Sequence, residues 1–202
     1  VPELPRIGVR FRIPTDMNQL EYLGRGPEEN YCDRNNGTLI GHYKSTAEQQ
    51  YVPYVRPQEN GHKTETRWLA LTDKTGKGLL FIADSNFMEF NVSRNRIEDF
   101  DGEESNRPYQ WQNFTKDESH DPLMAKNRKP KQTHINDIFP RNFVEVCLDH
   151  RMMGVAGDDA WGSQPYPKYK LPTNKDYHWN FTILPIKNNM EISEKLSYQY
   201  LP

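Results

Sequence analysis

The sequence predicts an all-β fold in which two antiparallel sheets pack as a sandwich. Short segments alternate apolar and polar residues at period two, glycine, proline and asparagine punctuate them, and helical periodicity is scarce. A sheet with one apolar face must cover it with another layer, so two sheets are expected to face each other. Fifteen prolines and twelve glycines suit long, irregular connections, where sandwiches usually carry their sites.

The first strand is the clearest. Ile7, Val9, Phe11 and Ile13 alternate with Arg6, Gly8, Arg10 and Arg12. One face should meet the core, and the arginine face should meet water or a neighbouring domain. Leu20 and Tyr22 mark a short second strand. Trp68 and Ala70 oppose Leu69 and Leu71 in a strand that ends at Thr72. Residues 73–78 are turn formers, and 79–83 form the return strand. Met88, Phe90 and Val92 alternate with Glu89 and Asn91. Val144, Val146 and Leu148 alternate with Glu145, Cys147 and Asp149. Tyr177, Trp179, Phe181 and Ile183 alternate with His178, Asn180 and Thr182.

Residues 94–100 allow two helical turns at most. The stretch 101–136 lacks a period, contains Pro108, Pro122 and Pro130, and reads as a long excursion pinned by Tyr109, Trp111 and Phe114. Ile192, Leu196 and Leu201 in the tail suit a short helix or a loose extension. The expected division is a sandwich over 1–186 and a C-terminal extension over 187–202.

Composition narrows the function classes. The chain has 202 residues and a formal net charge of -2, with 26 basic and 28 acidic side chains. No block of five basic residues offers a footprint for nucleic acid or a membrane surface, so neither partner is expected. No apolar run approaches the ~18 residues that a transmembrane helix needs. The start, Val1-Pro2-Glu3-Leu4-Pro5, reads as a chain cut from something longer. The two cysteines, Cys32 and Cys147, lack metal or redox spacing. Cys147 suits a buried thiol, and a Cys32–Cys147 disulfide is the other option. N-x-S/T triplets occur at Asn36, Asn91, Asn113 and Asn180, weak signals in an asparagine-rich chain.

The segment most suited to a site is Gly154-Val155-Ala156-Gly157-Asp158-Asp159-Ala160-Trp161-Gly162. Glycines allow a tight path, and aspartates brace such a path by accepting from backbone N–H groups. Trp161, between Ala160 and Gly162, can offer its face to a sugar ring or can pack as an ordinary aromatic. Asp158 and Asp159 are neighbours, so on extended backbone they point apart. That spoils them as the two carboxylates flanking a glycosidic bond, and loop bracing suits them better. A metal role lacks a third ligand. His150, just ahead, is expected to order the loop.

Of two further segments, 23–31 reads as structural, and 51–61 reads as a semi-rigid surface loop that could line a cleft or form a domain contact. Leu23-Gly24-Arg25-Gly26-Pro27-Glu28-Glu29-Asn30-Tyr31 is a bend after a strand and lacks the phosphate-loop patterns. In Tyr51-Val52-Pro53-Tyr54-Val55-Arg56-Pro57-Gln58-Glu59-Asn60-Gly61, Glu59 is a conceivable acid without an adjacent base. The six histidines form no metal signature, and no nucleophile elbow occurs.

Four stretches in fixed order, LPRIGVRF, YLGRGPEENYCDR, YVPYVRPQENGHKTETRWLAL and MMGVAGDDAWG, resemble the small-chain, C-terminal domain of glycoside hydrolase family 2 β-galactosidases. The resemblance covers about 4–186. It implies an antiparallel β-supersandwich like galactose mutarotase, present here in part. It implies a parent that hydrolyses terminal β-galactosides with retention, using two glutamates on a (β/α)₈ barrel that this chain lacks. It therefore assigns no catalytic residue here, no metal ligand and no cofactor. Magnesium and sodium are expected on other domains of the parent. It matches Trp161 to a substrate-contacting tryptophan and makes His150, Asp158 and Asp159 its supports. The implied partners are the rest of the parent and the galactoside. The implied setting is a bacterial cytoplasm or periplasm, with the compartment left open. The alternative is an independent carbohydrate-binding or mutarotase-like module.

Overall fold

The structure is a computed structural model that describes residues 3–100, 135, 138–159 and 162–199, the last three by backbone alone. The excursion expected at 101–136 lies outside the described residues except for Ile135.

Two antiparallel sheets face each other, as the alternating segments require. The larger contains β3 (Gln19–Gly26), β4 (Leu39–Thr46), β6 (Trp68–Thr72), β7 (Gly78–Ala83) and β11 (Phe181–Ile186), in the order β11-β7-β6-β3-β4. The smaller contains β2 (Arg6–Ile13), β5 (Lys63–Thr66), β8 (Met88–Ser93) and β9 (Val144–Met152), in the order β2-β9-β8-β5. A short pair, β1 (Glu3–Leu4) and β10 (Leu171–Pro172), lies apart.

The core fills the gap between the sheets. Leu20, Tyr22, Leu69, Leu71 and Phe81 from one layer meet Met88, Phe90, Val92, Val144, Val146 and Leu148 from the other. Full burial of each such side chain stabilises by about 1.5–3 kcal/mol. The β6–β7 hairpin turns as its sequence predicts. Asp73 Oδ1 accepts from Thr75 N (2.7 Å) and Lys77 N (3.0 Å), and Gly76 takes φ +86°, which favours glycine.

Strand β6 is buried on both faces. Trp68, Ala70, Leu80, Ile82 and Ile186 form a second cluster on the outside of the larger sheet. Helix α1 (Met190–Gln199) covers it, with Ile192 4% exposed and Leu196 packed against the cluster. The tail residues Ile192 and Leu196 are therefore part of the packed body.

Several expectations need correction. Only Ile13 of the first strand is fully buried, Phe11 is partly buried, and Val9 is 42% exposed. A register irregularity falls at Ile7/Gly8 on this edge strand. The arginines do not simply face water. Arg6 reaches Asp149, Arg10 reaches Glu98 and Glu145, and Arg12 reaches Glu145 and lies 4.3 Å from the Phe143 ring centroid. Cross-strand charge pairing thus bends the cations back onto their own sheet. The strand expected over 177–183 begins only at Phe181, and the Tyr177 and Trp179 rings contact His150 instead. Strand β3 runs on through Gly24 to Gly26, beyond the expected short element. Strands β4 and β5 had no clear sequence signal, because LIGHYKST and KTET do not alternate cleanly. Both cysteines are free thiols, so the disulfide does not form. Burial pushes the Cys147 thiol up to about 12.

Candidate functional site

Described parts of all four sequence stretches that carry the resemblance meet at the outer face of the smaller sheet. Polar members of β8 and β9, Glu89, Asn91 and Asp149, point to that face, opposite the core residues Phe90 and Leu148. Period two would leave them wet. Instead, the segments 28–34 and 52–62 cover them, and each is under 9% exposed.

The buried groups satisfy one another. Arg6 donates to Asp149 Oδ2 (2.5 Å) and to Asn91 Oδ1 (2.7 Å). Glu59 stands 3.6 Å from Arg6. His62, fully buried, sets Nδ1 2.7 Å from Asn91 Oδ1 and Nε2 3.2 Å from Glu89 Oε2. Asn91 Nδ2 donates to Asn60 O (2.7 Å), which fixes its Oδ1 as an acceptor. The proton on His62 Nδ1 follows from that. Nε2 faces a carboxylate, which favours a proton there too and so the charged form of His62. Burial opposes this charge. The hydrogen bond to Glu89 and the charges of Glu89 and Asp149 outweigh it and raise the His62 pKa above its ordinary value. Burial drives Asp149 and Glu59 upward, with Arg6 opposing the shift in both. Asn91 is buried with its amide bonded at both ends, so the folded domain has no room for a glycan there.

A second carboxylate, Glu29, ties the two covering segments together. It accepts from the Tyr54 hydroxyl, from Gly61 N (2.7 Å), from Arg34 Nη2 (3.0 Å) and from Tyr31 (3.2 Å). Tyr31 stacks on His62 with centroids 5.4 Å apart. Asn30 Oδ1 accepts from Thr64 N (2.9 Å), clipping the same segment to β5.

The glycine-rich loop leaves β9 directly above this hub. Met152 N, at the strand end, donates to Glu89 Oε2 (2.7 Å), and Met152 O accepts from Cys32 Sγ (3.4 Å). Met153 N donates to Pro5 O (2.9 Å) and Gly154 N to Tyr169 O (2.9 Å). Ala156 N donates to Asp33 Oδ2 (2.9 Å). A Cβ at Gly154 would run into that Asp33 carboxylate and lie 3.0 Å from Tyr169 Cβ, so the close approach itself requires glycine. Asp158 accepts from the Tyr166 hydroxyl, and Asp159 Oδ1 accepts from Ser163 N at 3.4 Å.

Each expected site residue now has a place. Asp158 and Asp159 are exposed and bonded within 158–166. His150 is half-buried on β9, with rings of Tyr177 (6.2 Å) and Trp179 (6.3 Å) around it; burial lowers its pKa. Trp161 lies outside the described residues. Glu59 is packed beside Arg6. Sequence reasoning missed the hub of Arg6, His62, Glu89, Asn91 and Asp149. Its one available sign was charge in the polar slots of two central strands. Among the described residues, no cluster of His, Cys, Asp and Glu has the geometry to hold a metal ion.

Known proteins match this sequence along nearly its whole length. The family model described as "Beta galactosidase small chain" matches residues 1–183. The chain belongs to the beta galactosidase small chain family. It is 32% identical to a β-galactosidase of Priestia megaterium over 92% of its length. It is 28% identical to one from Halalkalibacterium halodurans over 91% and to one from Streptococcus thermophilus over 92%. The small-chain sequence spans only 15% of each of these relatives. It therefore corresponds to one domain of proteins of this kind.

Proposed function

We propose that this small-chain domain serves a β-galactosidase without contributing a catalytic group, and completes the substrate pocket by presenting Trp161 on the 153–163 loop. The observation that supports this reading is the bracing of that loop. Backbone groups of Met152, Met153, Gly154 and Ala156 are each tied to a different segment. A loop held this way can hold an aromatic platform in one place, which lowers the entropy lost when a sugar docks. Hydrolysis with retention through a covalent galactosyl intermediate would use two carboxylates of the parent outside this chain. The hub carboxylates do not suit that work. Glu29 and Glu89 are spent on backbone N–H groups and neighbouring side chains, and Asp149 is 1% exposed.

The test is Trp161→Ala in the full-length enzyme. KM for a β-galactoside should rise about tenfold, the loss of one stacking contact worth ~1.4 kcal/mol, with kcat changed less. An unchanged KM overturns the platform. Calorimetric titration of the chain with galactose, glucose and lactose should show at most weak binding. Submillimolar affinity would favour a self-sufficient carbohydrate-binding module.

A further inference from the structure

We infer that His62 is a positioning residue, which through Glu89 fixes the point where the chain leaves β9 for the 153–163 loop; the inference rests on the reading of that loop as the Trp161 carrier. Three observations carry it. His62 is fully enclosed, yet its two ring nitrogens face two acceptors on one strand, Asn91 Oδ1 at 2.7 Å and Glu89 Oε2 at 3.2 Å. The same Glu89 oxygen accepts from Met152 N at 2.7 Å, the last amide of β9. The next peptide is held too, because Met152 O accepts from Cys32 Sγ.

The physical sequence is short. The imidazolium neutralises and orients the Glu89 carboxylate. An oriented carboxylate is a strong acceptor for one backbone N–H. That bond sets the direction of the Met152 peptide, from which Met153, Gly154 and Ala156 run to their own anchors. Without the second proton on His62, its Nε2 lone pair would oppose the carboxylate, and Glu89 would turn away. That change weakens the bond to Met152 N. Charged and titratable groups face His62 from every element around it: Glu89 from β8, Asp149 from β9, Arg6 from β2, Glu59 from the 52–62 segment and Tyr31 stacked on the ring. Arg6 and His62 thus stand among three carboxylates, Glu59, Glu89 and Asp149.

Two substitutions separate the two nitrogens. Glutamine places a donor near the Nε2 position, and asparagine places one near Nδ1. His62→Gln can therefore keep the bond to Glu89 and lose Asn91, whereas His62→Asn keeps Asn91 and loses Glu89. In the full-length enzyme, His62→Asn should raise KM about tenfold, and His62→Gln should restore it to within about twofold of the original. Amide exchange of the peptide covering 150–157 should speed up in His62→Asn and be restored in His62→Gln. Val92→Ala, on the core face of β8, controls for general loss of stability and should move neither reading. The original enzyme should also lose affinity as pH rises from 6.5, and His62→Gln should flatten that limb.

Equal KM and equal exchange in the two His62 variants would overturn the inference, as would a Val92→Ala effect of the same size. A Trp161→Ala variant run beside them keeps the failures apart. If that variant leaves KM unchanged, the platform reading fails. If it raises KM while His62→Asn does not, only the positioning role fails. Exchange at 150–157 reports on His62 whichever way Trp161 behaves.

Discussion

Lys63 offers the most direct test of the buried electrostatics. It is 2% exposed, and its ammonium donates to Gly61 O at 3.1 Å. Burial lowers its pKa from 10.5 to about 8, with Glu29 and Glu28 opposing the shift. A fall of that size corresponds to about 3 kcal/mol by which the charged amine destabilises the fold at neutral pH. Lys63→Met keeps the straight chain and removes the charge. The bond to Gly61 O goes too, at a cost of about 1 kcal/mol. The net expectation is a gain of about 2 kcal/mol at pH 7, or about 5 °C in Tm for a chain of this length.

The sign follows from proton counts. Between pH 8 and 10.5 the unfolded lysine holds a proton that the folded one has released, so stability rises with pH across that window. The benefit of methionine is thus complete below about pH 8 and gone by about 10.5. Urea unfolding of both chains at pH 7 and at pH 10.5 measures it. A variant less stable than the original at pH 7, or a benefit equal at both pH values, would show that Lys63 is well solvated or well paired, and the reasoning would fall.

Two further outcomes follow from the same region. Arg6→Met strands Asp149, which is 1% exposed, and should cost about 3–5 kcal/mol in urea unfolding; adding Asp149→Asn should recover part of that, and strict additivity would argue against a coupled pair. Gly154→Ala should push the Asp33 carboxylate off Ala156 N, cost about 1–3 kcal/mol and speed amide exchange at Ala156; unchanged exchange there would mean the loop does not depend on that close approach.

The sandwich was legible because core strands alternate. Met88, Phe90 and Val92 mark one inner face, and Leu69, Leu71 and Phe81 mark the other. Trp68 and Ala70 on the outer side of β6 already told of a second apolar layer, but which segment covers it is a long-range fact, and Ile192 supplies the answer. The first strand misled, because alternation gives a face and not its burial. Val9 sits on an edge strand where the partner sheet does not reach. The hub was invisible for a related reason. Glu89 and Asn91 occupy polar slots in either case, and only the folding of 52–62 over them decides that they are interior.

The hub shows why two buried cations one residue apart have opposite fates. His62 and Lys63 are both nearly inaccessible, and burial works against the charge of each. His62 has a carboxylate at hydrogen-bonding distance, a second in Asp149 nearby, and a planar ring that holds both donors in fixed directions. Lys63 has a neutral carbonyl, and its carboxylates act only at a distance. Directed pairing overcomes burial for one, and undirected attraction fails to do so for the other. A raised histidine stabilises fully below its ordinary pKa near 6.5, and that contribution is lost as pH rises through the folded value. The lysine term is relieved only above about pH 8. The two groups therefore respond to rising pH in opposite senses: the histidine's contribution is withdrawn, whereas the lysine's penalty is relieved. What the polar groups supply in return is direction: each acceptor admits only a few donors, so the covering segments and the base of the loop have one arrangement that satisfies them all.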